Sequence, residues 1–198
     1  GRKGPFISSK LGVCLECIRE RPEEALAITR QVHARSRARF DLPPEPPRDP
    51  SGIRCAICRN ECVIGDGNKG FCGLVYNAGG RLVRFSDSRR GVLDWYYDPL
   101  PTNCVAWWCC AGCTGAGYPK YSYSRDGPEY GYHNLAVFLG ACSYDCLFCQ
   151  NWHFRNLAAR LAPTMSAEDL ALKANERVTC ICYFGGDPSP QMPFALKA

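Results

Sequence analysis

Cys142, Cys146 and Cys149 follow one another in the run GACSYDCLFCQNW, directly after an apolar stretch. The C-x3-C-x2-C spacing offers three thiolates from one short loop. A cubane iron–sulfur cluster is normally held by four cysteines. Three leave one iron open, and an open metal position is where chemistry can take place. The competing reading of the same spacing is a structural zinc knuckle.

A second run, YFGGDPSPQ from Tyr183 to Gln191, closes an apolar, β-branched stretch that begins at Val178. Such a stretch predicts a buried strand, Val178 to Phe184. Gly185 and Gly186 at its carboxyl end allow the backbone to approach a ligand closely. Ligands of α/β folds gather at that end of the strands. Asp187 adds a carboxylate.

The elements that must position these two runs can be read between them. Asn134 to Gly140 (NLAVFLG) predicts a first strand, with the cysteine loop following it. Ser166 to Arg177 predicts a helix, with Ser166 as N-cap and Glu168 and Asp169 in the first turn, where negative charge suits the helix dipole. The second strand comes next. Parallel strands need such a crossover, so the order strand, cysteine loop, helix, strand, GGD loop predicts a βαβ unit. Twelve residues, Asp187 to Ala198, remain beyond it, enough for one further helix starting near Pro193. Two parallel strands buried on both faces do not stand alone. With Gly1 in place of an initiating Met, the chain reads as a fragment of a longer protein or a truncated gene product.

The cysteine loop, with Phe148 just before its last cysteine, resembles the cluster loop of radical S-adenosylmethionine (SAM) enzymes, and Gly185, Gly186 and Asp187 resemble that family's "GGE" motif with Asp for Glu. The segments CAICRNECVIGDGNKGFCG, GYPKY and PEYGYHNLAVFLGACSYDCLFCQNWHFR extend the resemblance over most of residues 51–190. They point to the branch that holds the AmmeMemoRadiSam-system enzymes and proteins similar to pyruvate formate-lyase activating enzyme. The resemblance implies a (βα) barrel of which this chain carries the amino-terminal part. It implies a 4Fe–4S cluster on Cys142, Cys146 and Cys149. SAM would chelate the open iron, its methionine amine held at Gly185, Gly186 and Asp187 and its adenine near the Phe148 backbone. Reductive cleavage of SAM would give a 5′-deoxyadenosyl radical for hydrogen abstraction from a small-molecule or protein substrate, in one version activating a glycyl-radical partner. A flavodoxin or ferredoxin would donate the electron. The alternative is a non-catalytic zinc or iron–sulfur binding module with an inert, truncated barrel.

Composition fits an intracellular metalloprotein, and a cytoplasmic one is expected. Fifteen cysteines in 198 residues is an odd count. With C-x2-C spacings and no signal peptide, it favours metal over disulfides. No apolar run reaches membrane-spanning length. A net charge of +5 without a long basic run does not point to nucleic acid. The basic stretch Ser36 to Arg39 reads as the solvated face of a helix. No hydrolase nucleophile motif, P-loop or post-strand G-x-G-x-x-G is present.

Three regions emerge. Residues 1–50 hold Cys14 and Cys17 in a C-x2-C, a helix from Pro22 to near Phe40, and the extended Pro-rich linker Pro43 to Pro50. Residues 51–130 are cysteine-rich and irregular. In them Cys55, Cys58, Cys62 and Cys72 suit a closed four-thiolate site for zinc or a second iron–sulfur cluster. Cys104, Cys109, Cys110 and Cys113 could hold a further metal, alone or with Cys14 and Cys17. The tryptophans and tyrosines of 94–108 and 118–132 are expected to pack around the metal knuckles. Residues 131–198 form the βαβ unit. There Cys180 and Cys182 read as small buried hydrophobes, and no catalytic role falls to His33, His133 or His153.

Overall fold

The computed structural model describes residues 2–5, 7–104, 106–110, 123 and 127–198. Among them the order is α1 (Leu15–Glu20), α2 (Pro22–Ala38), β1 (Ile53–Arg54), β2 (Val63–Ile64), β3 (Val75–Asn77), β4 (Leu82–Arg84), β5 (Arg90–Pro99), β6 (His133–Leu139), α3 (Phe154–Arg160), β7 (Thr164–Ser166), α4 (Ala167–Ala171), β8 (Val178–Gly185) and α5 (Met192–Lys197). The class is mixed α/β. The sheets among the described residues are small and none closes into a barrel. Cys113 and the GYPKY segment lie outside the described residues. No helix of the described residues is long and apolar enough to cross a membrane.

The largest sheet has the strand order β7-β5-β6-β8. β6 and β8 are parallel, with Asn134 opposite Cys180 and Ala136 opposite Cys182. The two strands expected from the apolar runs therefore form and pair as a crossover unit. Period-two alternation sorts their side chains. Leu135, Val137 and Leu139 of β6 join Leu93 of β5, Ala167 and Leu170 of α4 and Phe194 of α5 in one buried cluster. Asn134, Ala136 and Phe138 take the opposite face with Cys180 and Cys182.

The crossover is more elaborate than expected. α3 and β7 precede α4. The predicted helix Ser166 to Arg177 is shortened to Ala167–Ala171. Ser166 caps it as expected, accepting from the Asp169 N–H at 2.9 Å. Past Ala171 the bonds tighten, with the Lys173 N–H donating to the Leu170 carbonyl at 3.1 Å and the Ala174 N–H to the Ala171 carbonyl at 3.0 Å, and Asn175 Oδ1 then accepts the Arg177 N–H at 2.9 Å. This is the local side-chain competition that turns Asn away from helices.

β5 was not expected. It pairs antiparallel with β6 from Leu93↔Leu139 to Pro99↔His133, so the sheet runs across the compositional boundary at residue 130. Its aromatics pack on the sheet rather than around the cysteine knuckles. Trp95 lies against the buried cluster, and Tyr96 stacks on Phe138 with ring centroids 5.5 Å apart. Gln191, in the short 3-10 turn Ser189–Gln191, is buried and brackets Val92. It accepts from the Val92 N–H at 2.8 Å and donates to the Val92 carbonyl at 2.9 Å. The chain's end is thereby fastened to β5.

The Pro-rich segment is not a free linker. The Pro47 carbonyl accepts from the Val63 N–H at 2.9 Å, and Arg48 bridges Val63 in parallel. The α2 helix docks beside it through Arg37, whose Nε donates to the Pro43 carbonyl at 2.5 Å.

Candidate functional site

β6 delivers the cysteine loop and β8 delivers the GGD loop at adjacent carboxyl ends. Two contacts lock the loops together. The Asp187 N–H donates to the Ala141 carbonyl at 3.0 Å. The Asp187 carboxylate accepts from the Ser143 N–H at 3.0 Å and from the Ser143 hydroxyl. Its other oxygen accepts from the Ser189 N–H at 3.0 Å and hydroxyl at 2.8 Å. A carboxylate offers about four lone-pair sites, so this one is saturated by the two serines. Burial alone would push the Asp187 carboxyl up, but the Ser143 and Ser189 hydrogen bonds outweigh it and hold it below its ordinary range.

The glycines serve the same close approach. Gly186 has φ +69°, and a Cβ there would collide with the Leu139 and Ala141 carbonyl oxygens. A Cβ on Gly185 would enter the Phe138 ring. Both glycines are thus required by the β6–β8 seam itself.

Cys142 is half-buried, Cys149 likewise, and Cys146 is exposed. Burial pushes the Cys142 thiol up to about 11, against the Tyr144 N–H that lowers it; the negative charges of Asp187, Cys146 and Cys149 raise it further. Phe148 is 88 % exposed. The three thiols therefore share one electrostatic neighbourhood at an open edge of the protein. Among the described residues no three Cys, His, Asp or Glu side chains are arranged to hold a single metal ion. A cubane cluster spreads its thiolates over several irons, and the donor set fits that group in chemistry: three sulfurs, one loop, an accessible face.

Behind the loop lies a feature that sequence reasoning missed. Asp145, inside the C-x3-C spacing, has a side chain only 5 % exposed and three basic partners. Arg155 of α3 grips Oδ1 through Nη2 at 2.7 Å and Nε at 3.1 Å. His33 of α2 meets Oδ2 through Nδ1 at 2.8 Å, and Arg37 Nη1 lies 3.4 Å from Oδ1. Arg37 is 1 % exposed, which corrects the reading of Ser36 to Arg39 as a wholly solvated face. Its Nη2 donates to the Phe71 carbonyl at 2.5 Å, and its guanidinium stacks 3.6 Å over the Phe71 ring. Burial lowers the Arg37 value and Asp145 opposes that shift. A single carboxylate thus ties α2 and α3 to the cysteine loop.

Cys55, Cys62 and Cys72 are brought together on one small apolar core with Ile64, Phe71 and Val75, and Cys58 lies close enough to feel the charges of Cys62 and Cys55. β1 and β2 pair Ile53 with Ile64, and the Cys55 N–H donates to the Cys62 carbonyl at 2.7 Å, closing a knuckle. The Cys62 sulfur accepts the Phe71 N–H at 3.5 Å, and the Cys55 sulfur accepts from Arg84 at 3.5 Å. Burial raises Cys58 and Cys62 and pushes Cys72 up to about 12, with neighbouring thiols adding to each. The knuckle abuts the cysteine loop: Asn60 Nδ2 donates to the Ser143 carbonyl at 2.9 Å. A cavity of about 310 Å³ lined by His33, Glu45, Asn60, Ser143, Tyr144 and Asp145 opens at this junction.

The cysteines of 104–110 sit elsewhere, at the opposite end of β6. Asn134 Nδ2 lies 4.0 Å from the Cys104 sulfur and 2.8 Å from Asp98 Oδ2. Cys180 and Cys182 share this face. Burial pushes Cys180 up to about 12, with Cys182, Cys104 and Cys110 adding to the shift. Both β8 cysteines are half-buried.

Comparison with curated proteins finds "Uncharacterized protein MJ0808" of Methanocaldococcus jannaschii, 26 % identical over 104 residues, or 52 % of this chain and 25 % of that protein. The matched region thus spans a quarter of that relative's length. No protein-family profile matches the chain, and no solved structure matches it.

Proposed function

We propose that this chain is the cluster-binding portion of a radical SAM enzyme, with the amino-terminal strands of its barrel in β6 and β8. The observation that carries the reading is the placement of the three-cysteine loop and the GGD loop side by side at the carboxyl ends of two parallel strands, joined through Asp187 and Ser143. Cys142, Cys146 and Cys149 would hold a 4Fe–4S cluster, leaving one iron for SAM. When bound, that pair supplies a one-electron reductive cleavage of SAM to methionine and a 5′-deoxyadenosyl radical that abstracts hydrogen from a substrate.

The chain's own residues have separable tasks in this reading. The thiols must lose their protons to bind, and Cys142, raised by burial, releases its proton on metal uptake. Asp187 braces the cysteine loop through Ser143. To receive the SAM amine it must release one serine donor, since its lone pairs are filled. The Asp145 network fixes the loop from behind, and the exposed Phe148 offers its backbone toward the adenine. The knuckle of Cys55, Cys58, Cys62 and Cys72 would carry a second cluster beside this loop, or zinc once its sulfurs converge on one point, since no three described side chains are arranged around a single ion. Substrate class and the glycyl-radical version rest on the resemblance alone.

Anaerobic reconstitution with iron and sulfide, followed by electron paramagnetic resonance of the reduced protein with and without SAM, tests the reading. The expected result is a reduced-cluster signal that changes on adding SAM and disappears when Cys142, Cys146 and Cys149 become Ala. Zinc at the knuckle with no SAM-sensitive signal would replace this reading with that of a non-catalytic metal-binding module.

A further inference from the structure

Cys14 and Cys17 take no part in either cysteine site described above. Cys14 stands immediately before α1 and Cys17 lies in its first turn. The two sulfurs are 3.4 Å apart, with the Cys14 thiol directed at the Cys17 sulfur. Arg21, one turn further on, places Nη2 3.6 Å from the Cys17 sulfur. Cys14 is buried at 6 % exposure, whereas Cys17 is partly exposed. Glu16 Oε2, between them in sequence, pairs with Arg2 at 3.0 Å and lies 3.9 Å from the Cys14 sulfur.

We infer that Cys14 and Cys17 form a thiol–disulfide exchange site, a dithiol that closes to a disulfide by reducing an external disulfide. An S–S bond is about 2.05 Å long, so the sulfurs need approach by little more than one ångström, within reach of side-chain rotation on one turn of helix. The order of events follows from exposure. The accessible Cys17, 3.6 Å from the Arg21 guanidinium, gives up its thiol proton and attacks one sulfur of the external disulfide RS–SR. A mixed disulfide forms on Cys17 and one RS⁻ leaves and takes up a proton. The Cys14 thiolate then attacks the Cys17 sulfur, closing the intramolecular bond and expelling the second RS⁻. Two cysteine thiols are oxidised by two electrons, one external disulfide is reduced to two thiols, and the two protons balance. Attack requires thiolate. The Cys17 backbone N–H, first among several hydrogen bonds, lowers the Cys14 thiol to about 7, so the resolving step runs at neutral pH. The inference does not rest on the cluster reading, because its chemistry uses none of Cys142, Cys146 and Cys149.

Trypsin cleaves after Lys10 and Arg19, releasing a peptide, LGVCLECIR, that contains these two cysteines and no others. The reduced full chain is equilibrated anaerobically with graded mixtures of reduced and oxidised glutathione, quenched in acid, alkylated, digested and weighed. The expected result is a Leu11–Arg19 peptide two hydrogens lighter and free of alkylation, appearing while the other cysteine peptides remain alkylated. Cys14→Ser should stop at a glutathione adduct on Cys17. Cys17→Ser should yield far less adduct, because Cys14 is shielded. Arg21→Gln should slow closure several-fold without abolishing it. A peptide that stays doubly alkylated at every ratio, or gains only glutathione adducts, overturns the inference. So does the loss of one equivalent of bound zinc in a Cys14→Ser/Cys17→Ser chain, which would make the pair metal ligands instead.

Discussion

Replacing Asp145 by Asn preserves shape and removes one negative charge from a site where two buried arginines converge. Arg37 and Arg155 have side chains 1 % and 6 % exposed, so neither can turn to water for compensation. Removing one partner from a buried pair costs about 3–5 kcal/mol, because the remaining charge stays buried. Here two guanidiniums remain, and burial, with a smaller share from the charge of Arg155, already depresses Arg37. The expected loss lies at the upper end of that range, a large share of the 5–15 kcal/mol available to an ordinary domain. With a urea slope of about 2 kcal/mol per molar, the unfolding midpoint of the metal-free chain should fall by about 2 M. The molecule supplies its own control. Arg30 and Glu45 form an ion pair at 3.4 Å with side chains 67 % and 61 % exposed, and such pairs contribute about 0–1 kcal/mol; Glu45→Gln should leave the midpoint almost unmoved. A double variant, Asp145→Leu with Arg155→Met, should recover part of the loss by removing a second buried charge. The reasoning is refuted if Asp145→Asn shifts the midpoint no further than Glu45→Gln does, for then the carboxylate is not the buried tie between the helices and the cysteine loop.

Gly186→Ala should destabilise the chain by at least about 2 kcal/mol, since the left-handed backbone alone costs a non-glycine residue about 1–2 kcal/mol and the new methyl meets two carbonyl oxygens; an unchanged melting temperature would mean the β6–β8 seam can open there. Ser143→Ala removes one hydrogen bond to a charged group, worth about 1.5–3 kcal/mol, and should lower stability while a reconstituted cluster still responds to SAM. Asp187→Asn should weaken the same brace, and loss of the SAM response in Asp187→Asn alone would show that the carboxylate contacts SAM rather than only bracing the loop. The metal-free chain should also be alkali-sensitive. Cys72, Cys142 and Cys180 are raised to about 12, 11 and 12, so their contribution is fully present below the unfolded thiol value of about 8.5 and is lost as pH climbs through the folded values. Denaturation midpoints that stay flat from pH 8 to pH 11 would contradict that burial.

What could be read from the chain in advance was whatever its neighbours in sequence determine. The runs NLAVFLG and VTCICYF are apolar enough to be strands in any context, and Ser166 followed by Glu168 and Asp169 is a cap in any context. Their parallel pairing followed from the length of chain between them. β5 escaped because RGVLDWYYDP places its glycine, aspartates and proline among the apolar residues, which blurs the alternation. Its identity as a strand comes from β6 alongside and from Gln191, 99 residues away, bracketing Val92. The Pro-rich segment looked extended, and is, but nothing local reveals that the Pro47 carbonyl has a partner in Val63.

The same distinction explains why the cysteines of the candidate site were legible and Asp145 was not. Thiols grouped on one loop announce themselves by spacing. A buried carboxylate is defined by charges that the fold must bring to it, and His33 lies 112 residues upstream. In sequence Asp145 looks like filler between two cysteines, and Arg37 looks like one more cation in a basic run. Burying such charges is costly unless every one is paired, so their common burial marks a place where five segments must arrive together: α2, the Pro43 turn, the knuckle at Phe71, the cysteine loop and α3. Compositional boundaries near residues 50 and 130 therefore do not separate mechanical units. The loop that carries the three thiols is held from the front by Asp187 and Ser143 and from behind by Asp145, and any change that loosens the amino-terminal helix should be felt at those thiols before it is felt in the apolar core beneath β6.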